Sequence, residues 1–425
     1  MSADLARPDP RLLDLGRRTA EAALELDGWV ERTTGTRPLM AIFDPEVAAS
    51  AAALPPAARV EAAGSPRPLV ARFEALLVEL GDPKGEHEAV LLADVLRAYR
   101  TQARVAAGEH VAWTDQVRDY IGVAVDRFAP QVLSRLADDL REALHEAGFE
   151  AELGDAVARW TEARTVALAD LPRHAQTYLD DARARTDALL PALPAATELR
   201  LEIVHDVFYN GYNEYLGEHR GECRLNGDLP WTLPQLRHTV AHEAFPGHHA
   251  ISSIREAQGR EGRLTGGALM YYARTPLTPV IEGVCEVACR RLGWAWDADA
   301  EVYERLNRYR KAVFTDVSVA INRDGMGRAE AIAAIERDAF ASRAAAEARW
   351  TFLTHPLWHT SFPHYWHGTE AVRGALAVLD DAGAGDAWTT LTHDEAHDPA
   401  TLAHAAAEFV ARAAPAGPDA DRGRP

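Results

Sequence analysis

Over the first two hundred positions apolar residues recur every three or four places, the spacing of helices that bury one face. The clearest run opens with Pro130, carries Val132, Leu136, Leu140 and Leu144 on one side, and stops at Gly148, where a C-terminal cap belongs. Another, over 90–105, carries Leu92, Val95, Leu96 and Tyr99, and a long charged helix is predicted over 151–190, ended by Pro191 and Pro194. The period then shortens to two, because Leu199, Leu201 and Ile203 alternate with Arg200 and Glu202, and Gly211, Gly217, Gly221 and Gly227 punctuate the next stretch. That is the pattern of a small sheet. Helices return after Pro230, notably over 277–292 and over 301–321, the latter with Val302, Leu306, Tyr309, Val313, Val317 and Ile321 on its buried side.

The pattern therefore predicts a mainly α fold with a small β-sheet. It divides into a helical N-terminal scaffold over 1–196, a catalytic region over 197–416 and a polar, disordered tail over 417–425; the first two can equally form one continuous globular unit. Hydrophobic residues make up 47% of the 425, enough to bury a sizeable core.

Charge narrows the partners. With 45 Lys and Arg against 64 Asp and Glu, the net charge of −19 repels phosphate backbones and anionic headgroups, so neither nucleic acid nor a membrane surface is expected to bind. No stretch approaches the roughly 20 apolar residues of a membrane span, and the first 26 residues mix charges among their apolar positions rather than forming a signal peptide. Cys223, Cys285 and Cys289 are too few for a disulfide framework, which points to reduced thiols and a cytoplasmic location.

Histidine is unevenly placed. Of 17, only His87, His110, His145 and His174 precede residue 200, leaving 13 for the rest of the chain. There the chain reads His242-Glu243-Ala244-Phe245-Pro246-Gly247-His248-His249, on a helix expected to start near Thr232 and Pro234. In an HExxH helix two His one turn apart hold zinc and the intervening Glu activates water. Here Pro246 takes the second ligand's place. On a straight helix His249 would sit about 10.5 Å beyond His242 at about 1.5 Å per residue, too far for bonds of about 2.0–2.1 Å to converge. Proline cannot donate to the His242 carbonyl and Gly247 tolerates a sharp turn, so the helix is expected to kink and bring His248 or His249 back to the metal. Replacing Pro246 and Gly247 together by Ala should then leave the fold intact, even stabilise the helix, and weaken zinc binding.

The HE-x-x-PGHH octet resembles the signature of the bacterial domain-of-unknown-function 885 family, which is similar to the zincin metallopeptidases and has a mostly helical catalytic domain. A Glu-Gly pair opening a later helix and a Tyr-x-x-Gly nearer the C-terminus are matched by Glu282-Gly283 and by Tyr365-Trp366-His367-Gly368. The resemblance spans roughly residues 200 to 370. This chain departs from it where Val284-Cys285-Glu286 follows the Glu-Gly in place of Trp-Ala, and where a family Asp with a His four residues later becomes Asp316 and Ala320.

The resemblance implies a zincin-like hydrolase of peptide or small amide-containing substrates. His242, His248 and Glu282 would hold zinc, with His249 as the alternative second His ligand, Glu243 would be the general base and Tyr365 the oxyanion donor. His355, His359, His364 and His367 cluster about Tyr365, and at least one, His364 as a catalytic residue, is expected to face the site. Glu286, Cys285 and Cys289 share Glu282's helix face, Glu286 as the next candidate ligand and the cysteines as small buried hydrophobes. His393 and His397 also stand four apart, but Asp398-Pro399 reads as the start of a helix and leaves them in a preceding loop. Tyr271 and Tyr272, between Gly266-Gly267 and Pro276, fit either a mobile substrate loop or a packed one. Two other classes remain open: a tailoring enzyme that uses the metal on a small metabolite, and a non-catalytic binding protein with a closed structural zinc.

Overall fold

The computed structural model describes residues 9–53, 56–62, 64–207 and 209–413; the expected disordered tail over 417–425 lies outside them. The chain is mainly helical, as the apolar spacing predicts. Among the described residues no helix is long and apolar enough to cross a membrane.

Six helices open the chain: α1 (Pro10–Thr34), α2 (Pro45–Ala53), α3 (Pro56–Ala62), α4 (Arg67–Leu80), α5 (His87–Ala106) and α6 (Trp113–Ile121). Asp9 caps α1 by accepting from the Arg11 amide at 2.8 Å, Pro10 sits in its first turn, and Gly35 ends it at φ 71°. A short strand, β1 (Leu39–Ile42), interrupts this run. The helix expected from Pro130 is α7 (Pro130–Glu146), with Gly148 just beyond it at φ 86°.

The long charged helix expected over 151–190 is instead two, α8 (Leu153–Arg164) and α9 (Leu171–Leu189). Between them Thr165 bridges to Thr232 and the Val166 amide donates to the Trp231 carbonyl at 2.7 Å. A long-range backbone pairing thus overrides local helix propensity.

The two-residue alternation at 199–203 is β2 (Glu198–Val204). It pairs in parallel with β4 (Arg220–Asn226), which pairs antiparallel with β3 (Gly211–Gly217), giving the order β2-β4-β3. Glu218 and His219, both at positive φ (54° and 59°), make the two-residue turn between β3 and β4. The Glu256 carboxylate accepts from both of their amides at 3.0 Å, which offsets the conformational cost of two non-glycine residues there.

The remaining helices are α10 (Leu233–Glu243), α11 (His248–Arg260), α12 (Leu277–Arg291), α13 (Ala298–Asn322), α14 (Arg328–Asp338), α15 (Arg343–Thr354), α16 (Phe362–Asp381) and α17 (Pro399–Ala413). Between α11 and α12 runs β5 (Met270–Tyr272), antiparallel to β1. Tyr271 and Tyr272 are therefore strand residues, 7% and 0% exposed, rather than part of a mobile loop. Pairing with a strand more than two hundred residues earlier leaves no local trace in the sequence.

One apolar core runs from α1, α4 and α5 through β5 to α12, α16 and α17, so the N-terminal helices and the second half bury side chains against each other. A second joins α7 and α8 to α13–α15 around Trp160 and Trp366, and a third lies between α9, β4, α10 and α11. Helices α12 and α16 cross with their backbones in contact. A Cβ on Gly283 would meet the Gly368 carbonyl oxygen at 2.2 Å, and one on Gly368 would meet the Pro279 oxygen at 1.7 Å. Only glycine lets the two backbones touch there.

Candidate metal centre

The Thr232 hydroxyl accepts from the Gln235 amide at 3.3 Å and Pro234 sits in the first turn, so α10 begins where its cap and proline place it. It ends at Glu243, and α11 begins at His248. Between them the Phe245–Pro246 peptide is cis. The Gly247 amide donates to the Ala241 carbonyl at 3.1 Å and the Ala250 amide to that of Ala244 at 3.2 Å, each spanning six residues in place of four. Gly247 lies directly on the end of α10, where a Cβ would fall 1.8 Å from the His242 carbonyl oxygen. The expected kink is thus a full break with two helices meeting end to end.

The break selects His248. Its ring lies 4.9 Å from that of His242, centre to centre, at 72°. The Nε2 of His242 is 3.4 Å from one oxygen of Glu282 and the Nε2 of His248 is 3.6 Å from the other. These three donors lie within 4.8 Å of one another. Tetrahedral zinc bonded at about 2.0–2.2 Å separates its ligand atoms by roughly 3.3–3.6 Å, which these spacings match. Glu282 Oε2 is buried and makes no hydrogen bond, although buried carboxylate oxygens are ordinarily satisfied. A cation among the three would satisfy it, so the residues fit a zinc ion.

His249, the alternative ligand, turns the other way. Its ring is fully buried between Tyr215 and Phe245, 5.6 Å from each, and lies so close under Gly221 that a Cβ there would meet Nδ1 at 2.6 Å. Successive residues on a helix point about 100° apart, so α11 can send only one of the pair to the centre. Burial pushes the His249 imidazole down to about 4, which leaves it neutral.

Glu286, the next candidate ligand, lies one turn beyond Glu282 and meets His242 from behind, its Oε1 3.5 Å from Nδ1. Its Oε2 accepts from His238 Nε2 and Asn307 Nδ2, each at 3.0 Å, and is paired with the Lys311 ammonium. A carboxylate on Nδ1 fixes the ring so that Nε2 faces Glu282. Sequence reading gave Glu286 no such role and missed His238, four residues before His242 on α10; only the i, i+4 spacing of the two histidines signals it.

Electrostatics follow from burial and crowding. Burial disfavours the ionised Glu282, but His248 and His242 outweigh it and hold the carboxyl well below its usual range. For His248, burial is outweighed by Cys285 and Glu282 and its pKa rises well above the ordinary value; for His242, by Glu282, Glu243 and Glu286. Burial raises the pKa of Glu243, with Glu282 and Glu286 adding to it and the two histidines opposing. The Glu243 carboxylate lies against the start of β3, where a Cβ on Gly211 would come within 3.2 Å of Oε1.

Around the three donors stand aromatic groups. Tyr271 lies nearly parallel to His248, 6.4 Å away at 16°, and the Tyr365 ring is 4.2 Å from that of His364. Burial, then the charge of Glu282, keeps both tyrosine hydroxyls protonated. His364 has both ring nitrogens buried without a hydrogen bond, and burial pushes it down to about 4, with Glu282 opposing and His248 adding. His355 and His359 precede α16 and neighbour Arg274 instead. Cys285 and Cys289 are buried, their thiols pushed up to about 11 chiefly by that burial. Asp316, which lacks a histidine four residues on, pairs with Arg127 at 2.7 Å and accepts from the Phe128 amide at 2.9 Å.

His393 and His397 build no rival centre. His393 lies on a π-helical turn over Thr390–Asp394, fully buried, with Nε2 3.0 Å from the Pro246 carbonyl oxygen; His397 Nε2 lies 3.1 Å from Glu395. Asp398 caps α17 as expected, accepting from the Ala400 and Thr401 amides at 2.8 Å.

No protein-family model and no curated protein matches the chain. Two solved structures are similar in fold. One is described as "the putative lipoprotein from Colwellia psychrerythraea", with TM-score 0.56 and 14% identity over 84% of this chain and 70% of that one. The other, "a putative lipoprotein of unknown function from Shewanella oneidensis", has TM-score 0.51 and 12% identity over 82% of this chain and 75% of that one. At such identities the likeness is one of fold alone.

Proposed function

We propose that the chain is a zinc-dependent, zincin-like hydrolase of peptide or small amide bonds, related to the domain-of-unknown-function 885 family. The observation that carries this reading is the convergence of His242 Nε2 and His248 Nε2, at 3.4 and 3.6 Å, on the two oxygens of Glu282. Zinc held there would supply Lewis acidity and lower the pKa of water from 15.7 to about 7. Glu243, with its raised pKa and buried carboxylate, takes a proton from the attacking water and returns it to the leaving nitrogen. The protonated hydroxyls of Tyr365 and Tyr271 are donors for the oxygen that gathers negative charge, and neutral His364 offers one ring N–H to the same space. Glu286 holds His242 in place throughout. Three buried, unpaired cysteines favour a cytoplasmic location.

Metal analysis and a peptide library test this together. The parent should carry about one zinc per chain and cleave an amide bond. His242→Ala should lose the metal, and Glu243→Gln should keep it without turnover. Zinc retained in His242→Ala moves the centre elsewhere, and a zinc-loaded parent that cleaves no peptide while transforming a small metabolite replaces the peptidase reading with that of a tailoring enzyme.

A further inference from the structure

Away from the metal centre Arg274 is a buried cation with no carboxylate in contact among the described residues. Arg274 follows β5 at φ 66°, a region that costs a residue with a side chain about 1–3 kcal/mol. It is 6% exposed, and its Nε is enclosed without a hydrogen bond. Its carbonyl accepts from Gln102 Nε2 at 2.9 Å, but no acceptor meets the guanidinium among the described residues. The Tyr120 ring lies against it, its centre 5.5 Å from the guanidinium carbon.

Such a ring contact contributes about 0.5–2 kcal/mol, against an effective penalty of several kcal/mol for a buried ion. Asp119 and Asp27, whose charges act on Tyr120 and Tyr272, accept from the Thr101 hydroxyl at 2.6 Å and from the Leu39 amide at 3.1 Å. The neighbours of Arg274 include buried polar atoms without hydrogen-bond partners. The Tyr120 and Tyr272 hydroxyls are buried and unpartnered, as is Nδ1 of His359. The Arg274 charge reaches all three, lowering the imidazole of His359 and opposing the rise of both phenols. Three residues further on, α12 starts without a side-chain cap and without an acidic residue in its first turn, leaving the positive end of a 15-residue helix uncompensated.

We propose that Arg274, with the Tyr120 and Tyr272 hydroxyls and His359, forms an internal site for a small carboxylate, between α6, the β5–α12 connection and the segment before α16. A planar carboxylate matches the fork of a guanidinium and takes further donors on its remaining lone pairs. The carboxylate comes either from a free small acid or from a substrate that carries one. The site does not depend on the metal reading, because none of its residues belongs to the zinc set.

The test uses the full chain, with and without chelator, and acetate as probe at constant ionic strength. Acetate should raise the melting temperature of the parent in a saturable way, since a ligand of the folded state stabilises it. Arg274→Met keeps the apolar stem, should melt no lower than the parent in acetate-free buffer, and should lose the acetate effect. Tyr272→Phe, which removes one hydroxyl and no charge, should weaken it. Peptide pairs with free and amidated C-termini separate the sources: competition by the acid alone assigns the site to substrate, and acetate binding without peptide competition assigns it to a free acid. A parent indifferent to both acetate and peptide acid, or an equal shift in Arg274→Met, overturns the proposal. Neither result alters the zinc content on which the proposed function is judged.

Discussion

His393 Nε2 lies 3.0 Å from the carbonyl oxygen of Pro246, so a residue 147 positions away holds the break that turns His248 toward His242. The carbonyl can only accept, so Nε2 carries the proton, and Nδ1 lies 2.9 Å from the Thr392 hydroxyl. Burial pushes this imidazole down to about 4 and keeps it neutral. His393→Ala should leave a buried carbonyl without its donor, costing about 1–3 kcal/mol, and should weaken zinc about 10–100-fold, the range for groups that orient metal ligands. Calorimetric melts and zinc titration measure the two separately; loss of stability with unchanged zinc affinity would confine His393 to packing.

The Pro246→Ala/Gly247→Ala variant, expected from sequence to fold well and even gain stability, should now be destabilised as well as metal-poor. With α10 and α11 end to end, any Cβ at 247 collides with the His242 carbonyl, and straightening the pair pulls Ala250, Ile251, Ser253 and Ile254 out of their packing. Gly247→Ala alone should show both losses, by more than about 1 kcal/mol in stability. A single variant that melts like the parent and binds zinc equally tightly contradicts this.

Glu286 and Lys311 form a buried pair, each side chain 9% exposed, behind His242. Glu286→Gln should cost about 3–5 kcal/mol because it strands a buried ammonium. Glu286→Met combined with Lys311→Met should cost less than the Gln variant alone while still weakening zinc. Denaturant unfolding of the single and double variants reads the coupling; additive losses would mean the two groups do not depend on each other.

A pH dependence independent of the metal is expected from Glu256. Burial works to raise its pKa, but the Tyr215 hydroxyl, the His219 amide, Arg260 and the Glu218 amide together hold it below 4.5. A depressed carboxyl contributes stability that is present above its unfolded pKa and is lost as pH falls through the folded one. Glu256→Gln should therefore reduce stability at neutral pH and flatten its decline below about pH 4.5. Melting curves between neutral and acid pH check this, and parallel declines for parent and variant would refute it.

Features were legible in the sequence to the extent that they depend on near neighbours. The prolines that open α7 and α10, the glycine beyond α7, the alternation in β2 and the octet that breaks α10 from α11 are local, and each is readable. The gap between α8 and α9, the β1–β5 pairing and the roles of His238, Lys311 and His393 depend on partners 25 to more than 200 residues away. The choice between His248 and His249 fell between these cases: sequence required one of them, and only the angle at which α11 leaves the break decides which.

The touching glycines 283 and 368 give the two distant sequence signatures a common meaning. Glu282 precedes one of them and Tyr365 lies one turn before the other, so the acidic group and the phenol are set by a single crossing in which backbone rests on backbone. A methyl at either position must lever α12 and α16 apart and carry Glu282 away from His242. Glu-Gly and Tyr-x-x-Gly are therefore two halves of one joint, and neither half can drift in sequence without the other giving way.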